Sequence, residues 1–199
     1  MFTGIIQAIG TIIHLQMSGS ILKYAVQFPS EMLPGLKVGA SVSVGGICQT
    51  VIQIDGDLVW FEAISETLER TTLKALQKGQ TVNLERSARL GDEIGGHLLS
   101  GHIYGEALVS AIEKNIYHIR CPLEWMKYFF AKGFIAIDGI SLTVVEVYKS
   151  KGIFTVHLIP ETLSRTTLSQ KKVGDKVNIE IDTVTQTTVE TVFQILQSE

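Results

Sequence analysis

The chain carries the same pattern twice, and this duplication limits it to two similar domains. Residues 65–73, SETLERTTL, recur as residues 160–168, PETLSRTTL, and residues 79–85 recur as residues 174–180. Residues 46–51 and 3–4 match residues 139–144 and 100–101 in the same order. Two copies are too few, and each is too long, for a solenoid. We expect repeats over residues 1–97 and 98–183, a tail over residues 184–199, and one similar ligand for each repeat.

Composition excludes several classes of protein. The net charge is −3 without a basic cluster, so nucleic acid is not expected as a partner. No apolar run is long enough to span a bilayer, and no Lys or Arg precedes Lys23 as a signal peptide would require. The two cysteines form neither a metal motif nor a disulfide framework, which favours the cytoplasm. A mean hydropathy of +0.26 predicts a subunit interface in addition to the core.

Each repeat is predicted to consist mainly of short strands. Residues 41–44, SVSV, alternate as a half-buried strand does. Residues 51–61 predict a hairpin around Asp55-Gly56-Asp57, and residues 144–157 predict its equivalent through Lys151-Gly152. Short helices are expected near 67–76, 162–168 and 122–132. This pattern favours an all-β fold of two tandem six-stranded Greek-key barrels rather than a doubly wound sheet.

The tail is predicted to be an amphipathic helix. Val189, Val192, Phe193 and Leu196 recur at the spacing of one helix face between about residues 185 and 197. The first repeat has no equivalent helix. Such a helix packs either on a lobe or on another subunit, and the sequence leaves both alternatives open.

Comparison of the two copies separates shared from unshared polar residues. Thr50 and Thr143 are shared, as are Glu66 and Glu161, which suits binding of a common polyol or the capping of a short helix. His102 stands where the first copy has Ile5, and Ser141 stands where the first copy has Cys48. Unshared residues suit a task that differs between the two sites, although a lone Cys or His is often structural. His97 and His102 lack a third ligand nearby, so no metal site is predicted.

Four segments in this order resemble the riboflavin synthase family over essentially the whole chain. They are residues 1–6 (MFTGII), 95–102 (GGHLLSGH), 138–144 (DGISLTV) and 157–163 (HLIPETL). The resemblance implies two six-stranded barrels and a C-terminal helix, assembled as a homotrimer through that helix, with lumazine synthase as an associated protein. It implies dismutation of two 6,7-dimethyl-8-ribityllumazine molecules into riboflavin and a ribitylaminopyrimidinedione. No metal or redox cofactor is implied.

The resemblance also implies a lumazine pocket in each repeat, with the active site between the N-terminal lobe of one subunit and the C-terminal lobe of the next. The N-terminal pocket is expected to use Gly4, Ile5, Ile6, Cys48, Gln49, Thr50, Glu62, Ala63, Ile64, Ser65, Glu66 and Thr67. The C-terminal pocket is expected to use Gly101, His102, Ile103, Ser141, Leu142, Thr143, Ile159, Pro160, Glu161, Thr162, Leu163 and Ser164, with Lys132 from a neighbouring subunit.

The expected mechanism begins with loss of a proton from the 7-methyl group of one lumazine. His102 is the candidate base, with Ser141 and Thr143 as polar helpers. Water, Ser41 or Cys48 is the candidate nucleophile at C7 of the other lumazine, assisted by Asp182. Phe2 is expected to lie over the site. Which lobe holds the donor and which holds the acceptor stays open.

Two positions depart from the family pattern, and two other functions compete. Gly45 replaces the usual Asn, and Gln49 replaces the usual Leu. A non-catalytic lumazine- or flavin-binding antenna protein of the same fold should lack the polar set of one pocket, whereas both sets are present here. A flavin-dependent reductase would need a Gly-rich nucleotide-binding turn, and the sequence contains none.

Overall fold

The computed structural model describes residues 1–198, which form two β-rich lobes followed by a helix. The strands are β1 (Ala8–Ser18), β2 (Ile21–Gln27), β3 (Ser41–Val44), β4 (Ile47–Thr50), β5 (Gln53–Asp55), β6 (Leu58–Ala63), β7 (Thr81–Arg86), β8 (Gly105–Glu113), β9 (Ile116–Arg120), β10 (Phe134–Ile137), β11 (Ile140–Tyr148), β12 (Ile153–His157) and β13 (Lys176–Ile181). The α-helices are α1 (Ser65–Arg70), α2 (Pro160–Arg165) and α3 (Thr183–Gln197). Short 3-10 segments lie at Ser30–Met32, Thr72–Ala75, Leu123–Tyr128, Lys149–Lys151 and Thr167–Gln170.

Strands β8 to β13 form the second lobe, a closed six-stranded barrel. Its strand order is β10-β11-β12-β9-β8-β13, and β13 returns to β10 to close the ring. The predicted hairpin of β11 and β12 is present, with Gly152 in the left-handed conformation at its turn. The expectation of a six-stranded barrel is confirmed for this lobe.

Strands β1 to β7 form the first lobe, which differs from the expected six-stranded barrel by one split strand. They form one seven-stranded sheet in the order β4-β3-β7-β1-β2-β6-β5. Its two edge strands are separated only by Val51 and Ile52, whose N–H groups donate to Ala40 O and Trp60 O, each at 2.9 Å. Strands β4 and β5 therefore correspond to the two ends of β11, where pairing is also irregular between Val144 and Val147.

Each lobe has its own apolar core, because alternate residues of every strand point inwards. The first core includes the fully buried Ile12, Val59 and Phe61, and the second includes Ile119 and Phe154. The helix expected over residues 122–132 was wrong, since only the 3-10 segment Leu123–Tyr128 forms there. No helix within residues 1–198 is long and apolar enough to cross a membrane.

Two extended segments cross between the lobes. They are residues 1–6 and 99–103, called the first and second crossing segments, and they meet where Phe2 and Leu99 pair antiparallel. Ser141 N–H donates to Gly4 O, and Cys48 N–H donates to Gly101 O, each at 2.9 Å. Each crossing segment therefore pairs with the lobe formed by the other repeat.

Two asparagines connect the lobes in a reciprocal way. Asn83 Nδ2 donates to Asp138 O and its Oδ1 accepts from Thr167 N–H, at 3.0 and 2.8 Å. Asn178, the equivalent residue of the second repeat, contacts Gly45 O and Thr72 N–H in the same way, each at 2.9 Å. All four bonds cross the boundary between the lobes, so they fix how one lobe sits on the other.

Candidate functional site

One face of β3 and β4 presents the polar residues of the first lobe. The register places Ser41 opposite Thr50 and Ser43 opposite Cys48. Successive strand residues point to opposite faces, so Val42 and Val44 enter the core while these four side chains lie on the outer face. This polar face is called the first site.

The second lobe presents an equivalent face on β10 and β11. Phe134 lies opposite Thr143 and Ala136 opposite Ser141, while Leu142 enters the core. This face is called the second site. The two sites share a threonine, Thr50 or Thr143, but differ at the next outward position, where Cys48 in one corresponds to Ser141 in the other.

The crossing segments show that the expected allocation of residues to pockets was wrong for two triplets. Gly4, Ile5 and Ile6 were expected with Cys48, and Gly101, His102 and Ile103 with Ser141. Instead Gly4 pairs with Ser141 and Ile6 is buried in the second core, whereas Gly101 pairs with Cys48 and Ile103 packs on the first core. Local sequence order could not reveal this exchange, because it depends on pairing between distant segments.

Glycine is required at both crossing points. Gly4 and Gly101 have φ of 75° and 78°, which favours glycine. A Cβ at Gly4 would lie 2.6 Å from Ser141 Cβ, and one at Gly101 would lie 2.7 Å from Cys48 Cβ. Both glycines therefore allow a crossing segment to lie directly against the polar face of a site.

Two buried carboxylates hold the crossing segments. Glu85 accepts from Thr3 N–H and Gly4 N–H at 2.6 and 3.0 Å, and Glu180 does the same for Ser100 and Gly101 at 2.7 and 3.0 Å. Burial raises the pKa of both carboxyls above the ordinary value, against the opposing effect of these hydrogen bonds. They lie in the duplicated strings 79–85 and 174–180, and the recurrence of a glutamate at the last position of both strings was the signal that sequence reasoning missed.

The two histidines of residues 95–102 lie at different sites. His102 follows Gly101 and therefore belongs to the first site, where its side chain is exposed. His97 is buried, and its Nδ1 lies 2.6 Å from Ser141 Oγ. The hydrogen bond to Ser141 thus comes from His97, a residue that sequence reasoning did not assign to the reaction, and not from His102.

Phe2 lies between the two sites rather than over one of them. It is 1 % exposed and forms a small cluster with Leu99 and Ala136, against which Cys48 packs. Whether Phe2 also lies over a site formed by two subunits stays a prediction. Its burial fixes the crossing point on which both sites depend.

The short helices α1 and α2 carry the shared glutamates. Glu66 pairs with Arg70 on α1 and Glu161 pairs with Arg165 on α2, each one turn apart and well exposed. The N-terminal caps Ile64 and Ile159 use no side-chain hydrogen bond and are 55 % and 63 % exposed. The carboxylates of the two glutamates and the side chains of the two isoleucines are accessible to a ligand or a second subunit. The other expected pocket residues of these segments are Glu62, Ala63, Ser65 and Thr67 in the first lobe and Pro160, Thr162, Leu163 and Ser164 in the second.

The two departures from the family pattern have structural explanations. Gly45 and Gly46 form a two-residue hairpin turn with φ of 58° and 87°, and the second lobe uses Asp138 and Gly139 at the same place. Gln49 points into the core, where it accepts from the Tyr24 hydroxyl at 3.1 Å. The side chain of Gln49 is therefore turned away from the polar face, where only its backbone is available to a ligand.

Asp182 and Lys132 lie on the second-lobe side. Asp182 caps α3, because one carboxylate oxygen accepts from both Thr185 N–H and Thr185 Oγ1 at 2.8 Å. Lys132 has φ of 67° in the turn before β10, and its side chain is exposed. Among residues 1–198, neither side chain makes a hydrogen bond or an ion pair to the first site.

A well-defined cavity lies elsewhere, away from both sites. It has a volume of about 490 Å³ and is lined by residues of both lobes, including Asn83, Glu106, Asp138 and Asn178. None of the expected pocket residues lines it. The two polar sites are instead open faces. Within one chain, each of them would enclose a flat ligand only in part.

Comparison with known proteins agrees with this duplicated geometry. A family model described as a lumazine binding domain matches residues 3–87 and again residues 100–182. Riboflavin synthase from Escherichia coli (strain K12) is 48 % identical, covering 98 % of this chain and 93 % of the relative, and that from Chlamydia pneumoniae is 46 % identical, covering 100 % and 98 %. A crystal structure of LumP complexed with riboflavin superposes with a TM-score of 0.82 at 29 % identity, covering 92 % of this chain and all of that one. The chain belongs to the riboflavin synthase family.

Proposed function

We propose that this protein is a riboflavin synthase. It converts two molecules of 6,7-dimethyl-8-ribityllumazine into riboflavin and 5-amino-6-(ribitylamino)uracil by transfer of a four-carbon unit. Family membership over nearly the full chain supports this function, and so does the arrangement of the two sites. One substrate in two roles requires two sites that bind the same molecule and treat it differently.

The observation that carries the proposal is the unequal equivalence of the two sites. Thr50 and Thr143 occupy the same place, as do Glu66 and Glu161, so both sites offer the same groups for a pteridine and a ribityl chain. Cys48 corresponds to Ser141, and His102 corresponds to Ile5. The shared groups suit common binding, and the unshared groups suit the donor and acceptor roles.

The complete active site is proposed to form between subunits of a homotrimer. His102, Ser41 and Cys48 belong to the first site, whereas Ser141, Thr143 and Asp182 lie on the second lobe. A reaction that uses both sets needs the two faces opposite one another, and a first site facing the second site of a neighbour meets this need. Lys132 would contribute from that neighbour. Holding two planar molecules face to face would replace a bimolecular encounter and supply much of the rate enhancement.

Helix α3 is the proposed trimer contact. Val189 packs on the second core and Glu190 accepts from the Tyr128 hydroxyl at 2.7 Å, so one side of α3 lies on its own lobe. Val184, Val192 and Ile195 on another side are 73 %, 49 % and 58 % exposed. An apolar stripe of this kind suits burial against equivalent helices.

The proposed chemistry assigns proton transfer and addition to different sites. His102 removes a proton from the 7-methyl group of one lumazine, and the resulting carbanion attacks the other, which has added water, Ser41 or Cys48 at C7. Ser141 and Thr143 donate hydrogen bonds to the developing negative charge. The four-carbon transfer leaves the atoms balanced between the two products, so no external oxidant or reductant is required.

The cellular setting completes the proposal. We propose that the protein is cytoplasmic. We also propose that it associates with lumazine synthase, which would supply the substrate. We keep residues 1–97, 98–183 and 184–199 as the functional units, with the exchange of crossing segments between the first two. Copurification of lumazine synthase with the tagged protein from its own cells would test the association.

The test is to incubate purified protein with 6,7-dimethyl-8-ribityllumazine, without added cofactor, and to follow both products by chromatography. The expected result is one riboflavin for every two lumazines consumed. Consumption without riboflavin, or a ratio of one to one, would contradict dismutation. A heat-denatured sample at the same protein concentration controls for spontaneous conversion.

A non-catalytic lumazine- or flavin-binding antenna protein is the alternative function, since a protein of this fold can hold these ligands. Solved structures of LumP complexed with the ribityl lumazine, riboflavin and flavin mononucleotide are 29 % identical to this chain. Tight fluorescent binding of lumazine without product would support that function over synthesis. The polar residues present at both sites favour synthesis.

A further inference from the structure

The imidazole of His97 is fixed beside Ser141 from several directions. The ring stacks on Phe134 with centroids 5.0 Å apart and planes 15° apart, and its Nδ1 lies 2.6 Å from Ser141 Oγ. The His97 backbone N–H donates to Thr3 O at 3.1 Å. With only 7 % of the residue exposed, the ring has little freedom to turn. Its contact with Ser141 is therefore part of the folded framework.

Gly96 makes this close approach possible. A Cβ at Gly96 would lie 2.2 Å from Thr3 O and 2.7 Å from Ser141 Cβ, distances that no side chain can occupy. The first crossing segment, Gly96 and Ser141 thus form one tightly packed unit. The packing brings the His97 ring onto the polar face of the second site.

The environment of His97 favours one neutral tautomer. Burial lowers the pKa of the imidazole, although the Asp182 carboxylate acts in the opposite direction. Nε2 is buried and has no hydrogen-bond partner among residues 1–198. An orphaned buried N–H is rarer than an unused acceptor, so Nε2 carries the lone pair and Nδ1 carries the proton. The Nδ1–H group then donates to Ser141 Oγ.

We propose that His97 is a positioning residue of the second site, whose Nδ1–H donates to Ser141 Oγ and directs the hydroxyl proton of Ser141 towards the bound lumazine. The inference rests on the proposed synthase function and extends it. A hydroxyl whose oxygen accepts a hydrogen bond becomes a stronger hydrogen-bond donor. Ser141 would then stabilise negative charge as it develops on the pteridine.

This arrangement also distinguishes the two sites. Cys48 occupies the equivalent position at the first site, and its thiol makes no hydrogen bond within the described part of the chain. Only the second site therefore has a hydroxyl whose direction is set by a buried ring. The pair of His97 and Ser141 gives the second site a fixed donor, which suits one of the two substrate roles and not the other.

A matched pair of variants tests the role of Nδ1. The amide nitrogen of Asn can occupy the place of Nδ1, whereas that of Gln reaches the place of Nε2. We expect His97→Gln to lower kcat on the order of tenfold, and His97→Asn to restore most of that loss. We expect the double variant His97→Gln with Ser141→Ala to be no slower than Ser141→Ala alone. Effects that multiply, or a Ser141→Ala variant with unchanged kcat, would overturn the proposal.

The tautomer gives a readout that is independent of turnover. In two-bond ¹H–¹⁵N spectra of protein labelled with [¹⁵N]histidine, His97 should show the Nδ1-protonated pattern, with its signals assigned by their loss in His97→Asn. An Nε2-protonated ring would overturn the inference even in an active enzyme. Absence of riboflavin formation by the wild type would instead refute the proposed function, while the spectra would still report on His97.

Discussion

Glu85 and Glu180 combine hydrogen bonding with burial, and the balance predicts an unusual pH dependence. Both carboxyls have pKa values raised by burial, so the folded protein keeps protons that the unfolded chain has released. Their contribution to stability is present below the unfolded pKa and is lost as pH rises through the folded pKa. We compare the wild type with the double variant Glu85→Gln and Glu180→Gln. The free energy of unfolding of the wild type should increase relative to that of the double variant as pH falls from 7 towards 5.

Urea unfolding of both proteins at each pH measures this difference. The double variant should be less stable throughout, since an amide –NH₂ group would face a backbone N–H of the crossing segment. Only the pH dependence of the difference in unfolding free energy between the two proteins reports the carboxyl pKa values. A difference that shrinks as pH falls would contradict the raised pKa of these groups.

His102 is the residue whose loss should affect chemistry most directly. It is exposed at the first site and has no equivalent at the second, where Ile5 stands. As the proposed base, its replacement by Gln should lower kcat by about 10²-fold or more with a smaller change in KM. His118→Gln, on β9 and away from both sites, is the matched control. A His102→Gln enzyme with nearly wild-type kcat would exclude His102 as the base.

Residue identity alone predicted some of the site and missed the rest for a physical reason. The contrasts of Cys48 with Ser141 and of His102 with Ile5 are visible in the repeat. The contact of His97 with Ser141 is not, because it requires the first crossing segment to lie on the opposite lobe. Sequence patterns report local periodicity, whereas this contact joins residues that are far apart in the chain.

Among elements, the asparagines of β7 and β13 are expected to contribute most to the fit between lobes. Each of Asn83 and Asn178 makes hydrogen bonds across the boundary in a buried position. Replacing either by Ala leaves buried partners unsatisfied and should lower the free energy of unfolding by about 1–3 kcal/mol. Chemical unfolding measures this, and Asn115→Ala, which loses a single partly buried bond within the second lobe, should cost less.

The strands themselves were largely predictable, and the closure of the first lobe was not. Residues 41–44 and the hairpin of β5 and β6 follow from alternation and from a turn centred on Gly56. Nothing local indicates that the strand after Gly46 breaks at Val51. That break depends on competing pairing with β3 on one side and β6 on the other, which only the closed geometry imposes.

For the whole molecule, the proposed trimer contact along the exposed stripe of α3 implies that activity depends on assembly. Val192→Glu with Ile195→Glu should yield a folded monomer in light scattering and abolish riboflavin formation, because charges cannot be buried between apolar helices. The matched control is Thr187→Glu with Gln194→Glu, which adds the same charge to an exposed polar side of the same helix and should leave both properties unchanged. A monomeric variant with full activity would contradict a site shared between subunits, and a trimeric variant would contradict the contact through α3.

The exchange of crossing segments has a consequence for how such a protein could arise. A single ancestral repeat lacks a segment to lie on its own polar face, but two identical chains could lend theirs to each other about a two-fold axis. Both chains of that ancestor would be encoded by one gene and would therefore have identical sequences. Joining two copies in one gene removes this constraint, so the equivalent positions Cys48 and Ser141 are free to diverge. Duplication within one chain is what permits a symmetric framework to treat two identical molecules unequally.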